Sequence, residues 1–325
     1  MSSSRREFVR RTGISAFAFT GLSSTLASVA CGSGAEDASP AADVAAATAA
    51  VAPWFRISLA EWSLHRALMN GEMTNLDFIT EAKRTYGVEG VEYVNVFFAD
   101  KARDTAYLQE MQTRCDGEGV ESVLIMCDNE GRLGDPDDAA RTQAVEDHVQ
   151  WIEAAVFLGC HSIRVNAASE GSWEEQSTLA ADGLHRLASI ADEHGVNVIV
   201  ENHGGLSSNA GWLTETIRLG DHPRLGTLPD FGNFRIAEGD WYDIYQGVEE
   251  LMPLAQAVSA KSHDFDADGS ESAKDYLRLL RIVRDAGYRG WVGIEYEGTN
   301  APEPEGIHAT KALLERVRAE LAPSA

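Results

Sequence analysis

Basic residues are scarce in this chain. Lys and Arg number 27 against 51 Asp and Glu in 325 residues, for a formal charge of −24. Such a balance repels phosphate backbones, so a nucleic-acid partner is excluded on charge. Cysteine is scarcer still, at four, too few for a disulfide scaffold in a chain of this length. Beyond residue 50 there is no run of about 18 strongly apolar residues, so no internal segment reads as a membrane-spanning helix. No internal sequence repeat is visible. The composition that is present, 44% hydrophobic and 24% charged residues, is globular and rules out a chain disordered throughout.

The first fifty residues read as an address and a tether. Arg5, Arg6, Arg10 and Arg11 surround Phe8-Val9, and an uncharged, mildly apolar stretch follows from Thr12 to Ala30. Residues 1–30 resemble a twin-arginine export signal. The resemblance implies that the passenger folds, and acquires any metal, before export. Cys31 follows Leu26-Ala-Ser-Val-Ala and looks like a bacterial lipoprotein box, with Ser28 where Leu is usual. It implies a lipid anchor at Cys31, with plain cleavage as the alternative. The expected location is therefore the periplasm, free or membrane-anchored. Residues 31–53 are Ala-rich, lack apolar periodicity and read as a linker. That leaves 54–325 as a single folded domain, ample to bury a core.

Eight short apolar, β-branched runs punctuate this domain. They are Phe55–Leu59, Gly90–Val96, Val120–Met126, Ser162–Val165, Asn197–Val200, Leu225–Leu228, Val258–Ala260 and Gly290–Ile294. Most are apolar throughout, as strands covered on both faces should be. Segments with helical spacing lie between them, at Leu76–Tyr86, Asp137–Leu158, Glu174–Glu193 and Ser272–Ala286. Gly87, Gly119, Gly195 and Gly287 stand where helices should stop. Eight βα units in about 270 residues predict an α/β fold, a (β/α)₈ TIM barrel. A doubly wound sheet would want a Gly-rich fingerprint after the first strand, and none follows.

In such a barrel the strand C-termini converge. Four successive strands end in metal-type ligands: Glu201 in ENHGG, Asp230 in LPDFGN, His263 in KSHDF and Glu295 in IEYEG. The steps between them are 29, 33 and 32 residues, each one βα unit. Three carboxylates and an imidazole would repel one another without a cation. An oxygen-rich set with one nitrogen suits one divalent metal ion: Mn²⁺, Mg²⁺, Co²⁺ or Zn²⁺.

These four motifs resemble those of the sugar phosphate isomerase/epimerase family, the xylose isomerase-like TIM barrels, over about residues 54–320. In relatives such as ketose 3-epimerases, two Glu, one Asp and one His bind one divalent metal, and the two Glu act as acid and base. The resemblance assigns the metal to Glu201, Asp230, His263 and Glu295, and catalysis to Glu201 and Glu295. The chemistry is coherent. A metal polarises the carbonyl and stabilises an enediolate, while two carboxylates move the adjacent proton. Return to the other face gives an epimerase, transfer to the neighbouring carbon an isomerase, and loss of a β-leaving group a lyase. The sequence does not choose among them.

Other residues are candidates to touch a small carbohydrate. If the first strand persists, Glu61, Ser63 and His65 share its parity, and Glu61 and His65 would reach substrate. Trp62 could stack on a sugar face or pack the barrel. His203 shares parity with Glu201, and Asn166 ends the fourth strand. Lys261 shares parity with His263 and could stabilise an enolate, pair with a ligand carboxylate or form a Schiff base. Glu297 lies two residues past Glu295. Cys115, Cys127 and Cys160 include at least one unpaired thiol, and the last two read as core residues. No Arg/Lys-rich phosphate cradle is evident, so an unphosphorylated keto-sugar or polyol is expected. A hydratase or hydrolase on keto-sugars or keto-glycosides is the enzymatic alternative to an isomerase. A carbohydrate-binding barrel is the non-enzymatic one. Relatives form dimers or tetramers, so the resemblance allows a homo-oligomer.

Overall fold

The structure, a computed structural model, describes residues 52–322. The export signal over 1–30, the anchor at Cys31 and nearly all of the 31–53 linker lie outside the described residues.

Strands β1 (Arg56–Ala60), β2 (Gly90–Val94), β3 (Glu121–Met126), β4 (Ser162–Val165), β5 (Asn197–Glu201), β6 (Leu225–Leu228), β7 (Val258–Ser262) and β8 (Trp291–Tyr296) form one parallel sheet. Each pairs with its neighbour in the chain, and β1 pairs with β8. The remaining seam, β6 to β7, closes through isolated parallel bridges at Thr227–Ala255 and Asp230–Ser259. The sheet is thus a closed barrel, and closure removes its exposed edges. The eight strands are nearly all buried residues.

Helices α1 (Asn75–Arg84), α2 (Thr105–Glu118), α3 (Asp138–Leu158), α4 (Trp173–His194), α5 (Ala210–Gly220), α6 (Ile244–Leu251), α7 (Tyr276–Asp285) and α8 (Glu303–Glu320) follow the strands in turn. Local chemistry fixes their ends. Thr74 with Asp77 and Ser172 with Glu175 form capping boxes, which satisfy otherwise orphaned backbone N–H groups. Asp104, Asp137, Asn209, Asp243 and Asp275 cap five more helices through their side chains. Gly119 and Gly195, expected as stops, cap α2 and α4 with φ of +66° and +74°, a conformation that costs a glycine little.

Two apolar clusters result. The larger lies between the sheet and the helices and includes Phe55, Phe78, Trp151, Leu184, Trp212 and Leu280. The smaller, including Ala60, Val94, Leu124, Met126, Ile199, Leu228 and Trp291, lines the barrel interior. Cys115, Cys127 and Cys160 are buried free thiols.

Four boundaries differ from the sequence expectation in ways that matter below. β1 stops at Ala60 and the chain winds into a 3₁₀ turn, Glu61–Leu64, then a short helix, His65–Met69. Strand parity therefore does not carry through Glu61, Ser63 and His65. β2 stops at Val94, where Asn95 turns aside to hold the backbone of Asp128. β7 and β8 run two residues further than their apolar patterns, because Lys261 and Glu295 are charged yet lie inside. An antiparallel hairpin, Arg235–Ala237 with Asp240–Trp241, projects between β6 and α6.

Close packing of helix on loop makes one position diagnostic. A Cβ at Gly183 of α4 would stand 1.8 Å from the Leu133 carbonyl oxygen. Backbone cannot yield as a side-chain tip can, and overpacking costs about 1–3 kcal/mol. Gly183→Ala is expected to lower the stability of the barrel by at least that amount in urea denaturation. An unchanged midpoint would show that the 133 loop gives way freely.

Candidate active site

Alternation along the strands sends Glu92, Arg164, Glu201, Ser259, Lys261, Gly293 and Glu295 into the barrel, and Asp230 follows β6 directly. Register places Lys261 beside Glu295 and Ser259 beside Gly293. Glu201, Asp230 and Glu295 each offer a carboxylate oxygen, and the three oxygens lie within 4.8 Å of one another. All three residues are at most 4% exposed. By itself this acidic triad could hold a divalent cation.

A cation of the chain's own already stands there. The Lys261 ammonium lies 3.1 Å from Glu295 Oε1, 3.0 Å from Glu297 Oε1 and 3.8 Å from Asp230 Oδ2. Burial opposes its charge, but Asp230, Glu295, Glu201 and Glu297 raise its pKa well above the ordinary lysine value. Arg164 serves the other side. Its guanidinium lies 3.0 Å from Glu201 Oε2 and 2.7 Å from Asp128 Oδ1, and these carboxylates more than offset its burial. The contact to Glu201 is within ion-pair distance but not aligned for a hydrogen bond, so Arg164 Nε has no hydrogen-bond partner.

The remaining carboxylate lone pairs are also engaged. Asp230 Oδ1 accepts from the backbone N–H of Gly232 at 2.7 Å and of Asn233 at 2.8 Å. Asn233 Nδ2 donates to Glu201 Oε1 at 2.8 Å. Ser259 Oγ lies 2.6 Å from Asp230 Oδ2 and 2.7 Å from Glu295 Oε2. A hydroxyl has one proton and cannot donate fully to both, so one of the two carboxyls brings its own. Burial pushes Asp230 up to about 8. Burial also opposes the charge on Glu295, but Lys261, Ser259 and Arg164 hold its pKa below the ordinary value. We therefore assign the shared proton to Asp230 and the negative charge to Glu295.

His263 does not join the triad. It lies one residue past the end of β7, with Nδ1 3.2 Å from Lys274 Nζ and its backbone N–H donated to Glu271. Burial and Lys274 hold the imidazole below its usual pKa. The expected fourth ligand is thus corrected: at this strand end the inward position belongs to Lys261. As they stand the residues do not fit a metal. The ammonium occupies the centre of the carboxyl cluster and would repel a divalent ion placed there.

A cavity of about 490 Å³ opens over the cluster. Trp62 and Val94 form its apolar wall, Asp128 and Glu297 its acidic rim, and Arg164, Asn166, His203 and Glu295 its remaining polar surface. Asn166 donates to Asp128, but its buried Oδ1 has no partner. Asn129, with φ of +65°, also lines it. Two larger surface hollows, of about 670 and 720 Å³, involve none of these strand-end residues.

Two candidates are placed elsewhere. Glu61 is fully buried and accepts from Asn75 Nδ2 and the Val94 N–H. It ties the β1 end to β2 and α1 and has no face toward the cavity. Burial lifts it to about 8 against the pull of those two hydrogen bonds. His65 stacks on Trp62 with ring centroids 4.9 Å apart and lies 3.6 Å from Glu303. Both departures follow from the early end of β1.

Sequence reading missed Arg164, Asp128, Ser259 and Glu92. Arg164 and Glu92 carried a usable signal, a charge inside an otherwise buried strand (SIRV and GVEYV). Glu92 sits below the triad, with Oε1 2.5 Å from Ser58 Oγ and Oε2 unpartnered. Burial lifts it from 4.5 to about 8, with a push from Glu295. The folded state therefore binds a proton that the unfolded state has released between these values. The contribution is complete below pH 4.5 and is lost as pH rises through 8. Glu92→Gln is expected to abolish about 4 kcal/mol of the stability loss between pH 5 and pH 9, read as urea midpoints. Parallel pH profiles for the two proteins would refute the assignment.

Comparisons with known proteins agree with this architecture. The chain is 27% identical over 161 residues to an inosose dehydratase of Geobacillus thermodenitrificans, covering 43% of this chain and 53% of that one. It spans about half or less of the length of the curated relatives it matches. Among solved structures, 3-keto-D-glucoside 4-epimerase from E. coli superposes with a TM-score of 0.62 at 16% identity, over 81% of this chain and 99% of that one. A xylose isomerase-like TIM barrel protein from Mycobacterium smegmatis, in complex with magnesium, gives 0.62 at 15% identity, over 82% and 98%. Residues 80–317 match the family described as xylose isomerase-like TIM barrels, and this chain belongs to that family.

Proposed function

We propose that this protein is an enzyme that moves the proton beside the carbonyl of an unphosphorylated keto-sugar or polyol derivative, as an isomerase or epimerase. The observation that carries this reading is the pair of buried carboxylates Glu201 and Glu295. Each is backed by its own buried cation, Arg164 or Lys261, and Glu295 reaches the cavity. A carboxylate held beside a buried cation can take up a proton as the transition state forms. A second carboxylate can return it to the other face of a planar enediolate.

The cavity supports the substrate class. Its rim carries Asp128 and Glu297, and its guanidinium is committed to two carboxylates. A phosphate dianion would meet repulsion and no free cationic fork. Trp62 offers an apolar ring face, and Asn166 Oδ1 an unfilled acceptor for a hydroxyl. His203, exposed at the rim, is positioned for a second polar contact. An exported location, read from residues 1–31, accords with a neutral sugar. Dehydration is the second reading, favoured by the inosose dehydratase relative, because the same enolate can expel a β-hydroxyl.

The test is solvent exchange. Keto-sugars and 3-keto-glucosides are incubated with the protein in D₂O, and deuterium at the carbon beside the carbonyl is read by mass spectrometry and NMR. Stereospecific uptake is expected, with a product lighter by one water if dehydration dominates. Glu201→Gln and Glu295→Gln should each cut the exchange rate by about 10²–10⁴-fold with the fold intact by circular dichroism. Exchange that survives both substitutions would remove these residues from catalysis.

A further inference from the structure

We infer that this site carries its own cation in place of a divalent metal: the Lys261 ammonium is the resident cation of the Asp230, Glu295 and Glu297 carboxyl cluster, and the site assembles without a bound metal ion.

Four observations carry this. Strand register sets Lys261 directly beside Glu295, with both side chains inside the barrel. The ammonium is within 3.1 Å of two carboxylates and 3.8 Å of a third, at a residue 2% exposed. Its stem has a fitted bed. A Cβ on Gly232, two residues past Asp230, would lie 2.8 Å from Lys261 Cδ and 2.9 Å from Cγ, so the glycine leaves the room that the lysine fills. Finally, the expected imidazole donor is absent from the triad, because His263 Nδ1 faces Lys274. Lysine and a divalent ion are alternative answers to one problem, the mutual repulsion of buried carboxylates. With Arg164 paired to Glu201 and Asp128, each side of the cluster has a covalently attached cation.

This inference concerns what neutralises the cluster and does not depend on which reaction the site runs. The experiment uses the full-length chain purified without chelator, with Mn²⁺ as the probe. Metal content is read by elemental analysis, Mn²⁺ binding by electron paramagnetic resonance, and stability by thermal unfolding with EDTA or excess Mn²⁺. Wild type is expected to hold far less than one equivalent of any divalent metal and to melt at one temperature in all three conditions. Lys261→Met should acquire Mn²⁺ binding and a melting temperature that rises with Mn²⁺. Lys261→Arg keeps the charge and should remain indifferent. If Lys261→Met folds only when Mn²⁺ is supplied, that rescue is the same signature. Wild type that binds about one equivalent of Mn²⁺ and is stabilised by it overturns the inference, whatever the variants do. Deuterium exchange separates the two claims. Exchange that persists in EDTA supports both, and exchange abolished by EDTA and restored by Mn²⁺ sinks this inference alone. Absence of exchange in a metal-free, folded protein sinks the proposed reaction alone.

Discussion

Five carboxylates crowd the mouth of this barrel, and two side-chain cations hold them there. Lys261 sits among Asp230, Glu295 and Glu297, and Arg164 between Glu201 and Asp128. Removing an ion from water costs several kcal/mol even after relaxation. Each close pair returns about 5 kcal/mol at 3 Å and an effective dielectric of about 20. Neither the acids nor the bases could be buried alone. Together they fix one another, and a proton shared around Ser259 reduces the remaining excess of negative charge.

The barrel's closure and its chemistry meet at the same seam. The bridge that joins β6 to β7 pairs Asp230 with Ser259, and Ser259 is also the hydroxyl between Asp230 and Glu295. The backbone turn after Asp230 donates two N–H groups back to its carboxyl. Main-chain hydrogen bonds therefore fix Asp230, while Glu201 and Glu295 are held by Asn233, Ser259, Arg164 and Lys261. Such a site is preorganised, its charges held in place before any ligand arrives.

Members of one fold family share the barrel and can differ in how they neutralise its mouth. Proteins similar to this chain include an inosose dehydratase and a 3-keto-D-glucoside 4-epimerase, and one solved neighbour contains magnesium. In this chain the inward position at the end of β7 is a lysine. Its long stem and fixed charge occupy space that an imidazole would leave open.

The sequence by itself determined the barrel, because eight buried strands at regular spacing, with glycine stops between them, admit few other arrangements. It also determined that Glu201, Asp230 and Glu295 converge, since one βα unit separates strand ends that the fold makes neighbours. It could not place His263, Glu61 or His65, because parity arguments hold only while a strand lasts. β1 ends at Ala60 and β7 at Ser262, and one residue past an end the chain is free to turn. The tertiary structure alone decided that Lys261 enters the triad. Spacing along the chain reports which residues arrive at the mouth; charge balance among them is a property of the assembled volume, where every buried carboxylate must find a partner.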